Sequence, residues 1–252
     1  MAYKNLIFLK EGGIVKIIIN RPEVMNALNQ TVLLEIRKAI KEASKDRTVG
    51  VLVLTGAGRA FSAGVDLVSL GDQKLENGAV GPILDEPARA LINTIQEVPK
   101  VVIAMVNGYC LTGALEIALA CDLIVASEEA MFGDTHTRWG IRPSWGMSQR
   151  LQRVVGILKA KELSFSADMI TAREAERIGL VNSVIPADKL EESVKQLAEK
   201  IIANSLESIA AYKYLYNQGM KDTLKSGLEL EAKTEFKIRD TEERIENFRK
   251  KE

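Results

Sequence analysis

The sequence is poor in the residues that hold metals and disulfides. Among its 252 residues are two cysteines, Cys110 and Cys121, and one histidine, His136. Two cysteines without close CxxC spacing do not make a disulfide scaffold or a zinc or redox motif. A lone histidine with no neighbouring His or Cys also lacks the ligand set that zinc needs. We therefore expect two reduced, structural thiols and no metal centre.

A charge excess and a long hydrophobic run are also missing. The 34 lysines and arginines balance 34 aspartates and glutamates, so net charge does not draw the molecule to nucleic acid or to an anionic membrane. No apolar run approaches the roughly 18 residues that a membrane span needs, and the N-terminus leads directly into a strand-like pattern. We therefore expect a cytoplasmic protein that binds neither nucleic acid nor a membrane.

Short apolar runs alternate with helical patterns in the first half of the chain, which indicates an α/β fold whose helices cover strands. The predicted strands are residues 14–19, 50–54, 101–106 and 123–126. The predicted helices are residues 32–43, 88–97 and 113–121. Residues 71–87 mix Gly, Pro, Asn and Asp without a period, so we expect a mobile loop near the site. From residue 144 onward the pattern predicts helices that pack on the core, at residues 188–204, 208–218 and 223–239.

A segment rich in small residues, at positions 55–66, follows the second predicted strand. Its backbone can approach a ligand closely. The segment does not match the dinucleotide-binding motif, because Phe61 stands where a glycine is needed. The chain also has no GxxxxGK phosphate-binding loop, so nucleotide binding by either motif is disfavoured. It falls one residue short of the nucleophile elbow GxSxG, with Asp122 and His136 later in the order of an α/β-hydrolase. A serine hydrolase that uses Ser62 is therefore an alternative.

Glu116 is the only charged residue among the small and aliphatic side chains at positions 113–120. Apolar surroundings disfavour an ionised carboxylate, so we expect the pKa of Glu116 to rise toward neutrality, as suits a general acid or base. Gly113 lies at the predicted helix start, where its N–H has no helical partner and carries the positive end of the helix dipole. An oxyanion bound there would lie within about one turn of Glu116. A buried, hydrogen-bonded Glu116 with a structural role is the alternative.

Five sequence strings occur in an order and at positions that are typical of one family. They are MNALN at residues 25–29, AFSAGVDL at 60–67, VNGYCLTGALEIALACDLIVAS at 106–127, FGDTHTRWGI at 132–141 and AERIGLVNSVI at 175–185. On these strings the chain resembles the crotonases, the enoyl-CoA hydratase/isomerase family. The resemblance essentially covers the chain.

The resemblance implies an architecture and an assembly. Residues 1–190 would form a crotonase-like α/β spiral of ββα turns that holds the CoA site and the active site. Residues 191–252 would form a helical C-terminal trimerisation part. The assembly would be a homotrimer or a hexamer made of two trimers. No permanently bound cofactor is implied, because coenzyme A is the carrier part of an acyl-CoA substrate.

The resemblance also implies roles for individual residues. The backbone N–H groups of Val65 and Gly113 would form the oxyanion hole, and Glu116 would match the first of two catalytic glutamates. Residues that would line or support the CoA site are Asn26, Ala27, Leu28, Ala63 and Asp66. Phe248 and Lys251 stand about where a C-terminal phenylalanine and lysine contact CoA in the family.

The sequence departs from the hydratase pattern near these positions. His136 stands where hydratases carry the second catalytic glutamate, and Thr112 and Ala114 replace glycines on either side of Gly113. Imidazole can do acid–base work near neutral pH, so His136 is a candidate catalytic residue. A structural role for His136 is the alternative.

The resemblance predicts an enzyme whose reaction passes through a thioester enolate. Hydration of a 2-enoyl-CoA thioester, a carbon–oxygen lyase reaction of fatty acid metabolism, is the leading possibility. An isomerase, dehydratase or decarboxylase on the same fold is the alternative. A non-enzymatic RNA-binding relative is a further alternative, against which the balanced charge argues.

Overall fold

Residues 3–71 and 75–250 are described by a computed structural model of the chain. The strands within these ranges are β1 Leu6–Glu11, β2 Ile14–Ile19, β3 Val51–Gly56, β4 Ala60–Ser62, β5 Val101–Val106, β6 Tyr109–Leu111, β7 Leu123–Ser127, β8 Met131–Gly133, β9 Met169–Thr171 and β10 Ser183–Ile185. The α-helices are α1 Gln30–Lys45, α2 Pro82–Glu97, α3 Gly113–Ala118, α4 Met147–Val155, α5 Ile157–Ser166, α6 Ala172–Arg177, α7 Leu190–Ile202, α8 Leu206–Gly219, α9 Leu224–Lys233 and α10 Thr241–Arg249.

The strands form two sheets that the chain visits in alternation. The larger sheet has the order β1-β2-β3-β5-β7-β10, and its neighbours are parallel except for the β1–β2 pair. The smaller sheet has the order β4-β6-β8-β9, with only the β8–β9 pair antiparallel. Each of β3, β5 and β7 enters the larger sheet, and the next strand enters the smaller one. This repeat confirms the predicted crotonase-like spiral.

The larger sheet is covered on both faces, as the near-continuous apolar sequence of its strands requires. Leu52 and Leu54 of β3 belong to the main core, which also contains the apolar faces of α1 and α2. The alternate residues Val51 and Val53 pack in a second cluster with α7. The C-terminal half therefore packs on the core at α7, as expected. The division of the chain at residue 190 stays a prediction.

The expectation of a mobile loop over residues 71–87 is wrong at its end, because α2 begins at Pro82. A proline at the first helical position loses no hydrogen bond, since that N–H has no helical partner in any case. Leu84, Ala88 and Leu91 then recur at helical spacing and are buried. Pro82 and Pro87 hid this period from the sequence interpretation.

Several other boundaries also differ from the predicted ones. Helix α3 ends at Ala118 rather than at residue 121, and α9 ends at Lys233 rather than at residue 239. Helix α10 lies inside the predicted helical region 191–252 but was not predicted as a separate segment. The short strands of the smaller sheet had no sequence prediction, because three-residue strands show no period. No helix within the described ranges combines the length and the apolar character that crossing a membrane requires.

Candidate active site

The segment that follows β4 pairs with the segment that precedes α1. Leu28 donates its N–H to the carbonyl of Gly64 at 2.8 Å, and Asp66 donates its N–H to the carbonyl of Leu28 at 3.0 Å. The N–H of Ala63 donates to the carbonyl of Met25 at 2.9 Å. This pairing brings together the two sequence segments that the resemblance assigns to CoA binding.

The predicted CoA residues divide into lining and supporting positions. Ala27 and Asp66 line a surface cleft of about 520 Å³, together with Val65, which was predicted for the oxyanion hole. Leu28 is fully buried behind it, as is Asn26, whose amide donates to the carbonyls of Ala57 and Ala60 at 2.8 and 2.7 Å. These two residues hold the turns in place and do not face the cleft.

Arg21 is a residue of this cleft that the sequence interpretation missed. Its guanidinium donates to the carbonyl of Ala27 at 2.6 Å and to the carboxylate of Asp66 at 2.9 Å. The carboxylate of Asp66 also caps the short helical turn after it, at the N–H of Ser69. Asp66 therefore fixes the shape of the cleft wall. An arginine that precedes MNALN and a later aspartate were the only sequence signal for this ion pair.

Two backbone N–H groups are free near the start of α3. Neither Val65 nor Gly113 donates its N–H to an acceptor in residues 3–71 or 75–250. The two loops touch, because a Cβ atom on Gly64 would lie 2.7 Å from the carbonyl oxygen of Leu111 and 3.4 Å from the nitrogen of Gly113. Gly64 also has a φ of +91°, which favours glycine. Two unpaired donors on adjacent loops can bind one oxyanion.

The residue before Gly113 has an unusual backbone conformation. Thr112, at a position where the family carries glycine, has φ 53° and ψ −114°, outside the regions that β-branched residues prefer. Its side chain shares a hydrogen bond of 2.6 Å with the hydroxyl of Thr135, and its N–H donates to the carbonyl of Gly133 at 2.8 Å. These contacts with the C-terminal end of β8 stabilise the strained turn, and the turn leaves the Gly113 N–H without an acceptor.

Glu116 projects from α3 into the protein interior and is 1% exposed. One carboxylate oxygen, Oε1, accepts the N–H groups of Trp145 at 3.0 Å and Met147 at 2.8 Å. Burial raises the pKa of Glu116, and the Met147 N–H, His136 and the Trp145 N–H offset only part of that rise. The predicted direction of the pKa shift is therefore confirmed. The second carboxylate oxygen, Oε2, faces His136.

His136 lies opposite Glu116 across the interior. Its Nε2 is 3.6 Å from Oε2 of Glu116, and its Nδ1 is 2.6 Å from Oδ1 of Asp134. The imidazole is 5% exposed and Asp134 is 3% exposed. The structure thus brings the two candidate acid–base groups together. Sequence interpretation missed Asp134, although an aspartate two residues before the only histidine was a visible signal.

Trp145 forms another wall of the site that the sequence did not indicate. A Cβ atom on Gly113 would lie 2.5 Å from the indole ring, so only glycine fits beneath it. The indole Nε1 donates to Asp85 at 2.8 Å, and the hydroxyl of Ser144 donates to the same carboxylate oxygen at 2.6 Å. Arg150 donates to the carbonyl of Trp145 at 3.0 Å. This network fixes the loop that holds Glu116.

The geometry argues against the serine hydrolase. Asp122 pairs with Lys213 at 2.7 Å and accepts the N–H of Val102, whereas His136 pairs with Asp134. Asp122 therefore does not orient the histidine. Ser62 is fully buried, and its hydroxyl accepts the N–H of Gly64 at 3.1 Å.

The C-terminal positions assigned by resemblance stay untested. Lys251 lies outside the described residues. Phe248 is on α10, with 64% of its surface exposed.

Comparison with known proteins points to one family. A family model described as "Enoyl-CoA hydratase/isomerase" matches residues 9–251. The "Crotonyl-CoA hydratase" of Syntrophomonas wolfei is 38% identical over 237 residues, which are 92% of this chain and 88% of the relative. The crystal structure of an enoyl-CoA hydratase from Bacillus anthracis has a TM-score of 0.91 at 32% identity, covering 98% of this chain and 97% of that one. A structure described as a monofunctional enoyl CoA isomerase from M. smegmatis has a TM-score of 0.78 at 29% identity, covering 92% and 100%.

Proposed function

The chain belongs to the enoyl-CoA hydratase/isomerase family, and we propose that it adds water across the double bond of a 2-enoyl-CoA thioester. The observation that carries the proposal is the position of Glu116. This buried carboxylate with a raised pKa lies one helical turn from a free backbone N–H and 3.6 Å from a buried imidazole. The site thus combines an acid–base pair with donors for an oxyanion.

The thioester oxygen would bind to the N–H groups of Val65 and Gly113. Both groups are unpaired among the described residues, and the Gly113 N–H adds the positive end of α3. As water attacks the β-carbon, the thioester becomes an enolate and its oxygen gains negative charge. A preorganised oxyanion donor contributes roughly 3 to 4 kcal/mol to such a transition state.

Glu116 and His136 would supply the proton transfers. If the pair holds a single proton, one group accepts a proton from water while the other donates its proton to the α-carbon. Water then adds as hydroxyl at the β-carbon and hydrogen at the α-carbon, and the pair again holds a single proton. The reaction needs no redox step. Coenzyme A takes part only as the carrier of the acyl group, in the cleft that Ala27, Val65 and Asp66 line.

Isomerisation is the second candidate reaction. Two groups that lie 3.6 Å apart can move one proton between two carbons of the same substrate, without water. The similarity of this chain to the M. smegmatis enoyl CoA isomerase structure also favours isomerisation. Dehydration, as the reverse of hydration, would use the same groups, and a decarboxylase would need only the enolate donors.

We propose a closed homo-oligomer, a trimer or a dimer of trimers, built through the C-terminal helices. Side chains that support this are large, apolar and mostly exposed on α8, α9 and the turn between them: Tyr212, Tyr216, Met220, Leu224 and Leu228. Burying them against a second copy would remove apolar surface from water. The cytoplasmic location and the place in fatty acid metabolism stay predictions.

The test is a panel of short, medium, aromatic and alicyclic enoyl-CoA thioesters, each incubated with the protein. Hydration removes the conjugated double bond, so ultraviolet absorbance falls, and the product gains the mass of one water. Isomerisation changes absorbance without changing mass. Loss of absorbance with unchanged mass, for every thioester of the panel, would replace hydration by isomerisation.

A further inference from the structure

We propose that Asp134 is a positioning residue, which holds the imidazole of His136 in the tautomer with a proton on Nδ1, so that Nε2 faces Glu116 as the proton-accepting nitrogen. The inference rests on the proposed function, in which His136 exchanges a proton with substrate, water or Glu116. It assigns a role to a residue outside the two groups that carry out the chemistry.

Both oxygens of Asp134 are engaged by donors. Oδ1 lies 2.6 Å from Nδ1 of His136, and Oδ2 accepts the hydroxyl of Ser164 at 2.6 Å. The backbone N–H of His136 also points to Oδ1, at 3.4 Å. Burial by itself raises the pKa of Asp134, but the hydrogen bonds from His136 and Ser164 outweigh it, and the pKa lies below its usual range. Asp134 is therefore ionised near neutral pH.

An ionised carboxylate can only accept hydrogen bonds. The short contact between Oδ1 and Nδ1 therefore requires a proton on Nδ1. In a neutral imidazole the proton can occupy only one nitrogen, so Nε2 carries the lone pair. That nitrogen faces Oε2 of Glu116 at 3.6 Å, which is beyond a direct hydrogen bond and leaves both atoms open to exchange protons.

The position of Asp134 is itself fixed from two sides. It directly follows β8, whose residues pair with β6 and β9. Ser164 comes from α5, and its carbonyl accepts the hydroxyl of Thr137, one residue after the histidine. The aspartate, the histidine loop and α5 thus form one hydrogen-bonded unit, which restricts rotation of the imidazole.

The alternative tautomer would remove proton acceptance at Nε2. With a proton on Nε2 instead, a neutral His136 could only donate toward Glu116, and the pair could not exchange a proton in both directions. In serine proteases, the change of the orienting aspartate to asparagine keeps the geometry but gives the wrong tautomer and lowers kcat about 10⁴-fold. We expect a loss of roughly 10²- to 10⁴-fold in kcat for Asp134→Asn by the same logic.

The test reads the tautomer directly, because His136 is the only histidine in the chain. Incorporation of ¹⁵N-labelled histidine gives a nuclear magnetic resonance spectrum of one imidazole, in which a protonated nitrogen and a lone-pair nitrogen are resolved. The full-length wild type without substrate should show a proton on Nδ1 and a lone pair on Nε2. Asp134→Asn should shift the population toward the Nε2-protonated form and lower kcat, with KM little changed, because Asp134 does not line the CoA cleft.

Three further variants keep the test independent of folding defects. Asp168→Asn changes an exposed aspartate and should leave both the spectrum and kcat as in the wild type. Ser164→Ala removes one donor to Asp134 and keeps the contacts with His136, so it should lower kcat less than Asp134→Asn does. Asp134→Glu keeps a carboxylate at this position and should retain more of the Nδ1-protonated signal than Asp134→Asn does.

The inference would be overturned if the neutral imidazole of the wild type carried its proton on Nε2. It would also be overturned if Asp134→Asn changed neither the tautomer nor kcat. The proposed function fails on a different readout, because the tautomer is measured without substrate and hydration is measured from product.

Discussion

Exchanging Glu116 for glutamine removes a proton-transfer group and leaves its shape. The Oε1 contacts with the N–H groups of Trp145 and Met147 can persist, since an amide oxygen accepts hydrogen bonds as a carboxylate does. A positioned acid–base group usually contributes about 10²- to 10⁴-fold, which corresponds to about 3 to 5 kcal/mol of activation free energy. We therefore expect kcat for enoyl-CoA hydration to fall by that factor, with CoA affinity nearly unchanged.

The same variant should change how stability depends on pH. The folded-state pKa of Glu116 is raised, chiefly by burial, so its contribution to stability is fully present below the unfolded pKa of about 4.3 and is lost as pH rises through the folded pKa. Glutamine has no such titration. The free energy of unfolding of Glu116→Gln, relative to wild type, should therefore increase as pH rises from the unfolded-state pKa to above the folded-state pKa of Glu116.

The assays are turnover followed by ultraviolet absorbance, and urea unfolding at pH values below the unfolded-state pKa and above the folded-state pKa of Glu116. Glu86→Gln, on the exposed face of α2, is the control and should behave like wild type in both. Retention of more than about a tenth of the wild-type rate would remove Glu116 from the proton-transfer role. A relative stability of Glu116→Gln that falls with rising pH would contradict the buried, proton-binding carboxylate.

Three further outcomes are expected. His136→Ala should lower the hydration rate of a good enoyl-CoA by ~10²-fold or more, while substrate binding hardly changes. If the alanine variant keeps its rate on small substrates and only changes its acyl preference, His136 only shapes the acyl pocket. Lys213→Met should cost about 3 kcal/mol of unfolding free energy, because the buried ammonium bonds Asp122 and the carbonyls of Ile95 and Lys100, and its loss leaves a partly buried carboxylate without its cation. Lys221→Met at the exposed helix end is the control, and equal urea midpoints for Lys213→Met and wild type would contradict this prediction. Light scattering should give a closed oligomer that Tyr216→Asp or Leu224→Asp weakens, whereas a stable wild-type monomer would refute the proposed assembly.

The parts of the site that depend on local spacing were predictable from sequence. Gly113 and Glu116 share one turn of α3, so the proximity of a free N–H and a buried carboxylate follows from helix geometry. The pairing of His136 with Glu116 came from the family resemblance, because the nineteen residues between them do not by themselves set the distance between the two side chains. The bounds of β2 and β5 followed from their continuous apolar runs, whereas β3 and β7 extend one or two residues beyond the predicted ends.

The parts that depend on contacts far apart in sequence were not predictable. Trp145 holds Glu116 from 29 residues away, and Asp85 holds Trp145 from 60 residues away. Arg21 reaches Asp66 across 45 residues. Such contacts arise only when the two sheets and α2 are assembled, so no local pattern records them. The short strands of the smaller sheet belong to the same class, since pairing rather than propensity defines them.

Turnover in deuterium oxide of the 2-enoyl-CoA that the protein hydrates fastest separates hydration from isomerisation, because water addition passes through an enolate that the Glu116 and His136 pair protonates. The product, analysed by mass and nuclear magnetic resonance, should be a 3-hydroxyacyl-CoA with one non-exchanged deuterium at the α-carbon, in one configuration. Glu116→Gln should form it at least about a hundred times more slowly. Recovery of a thioester that carries deuterium but has gained no water would contradict the account, as would an equal rate in the variant.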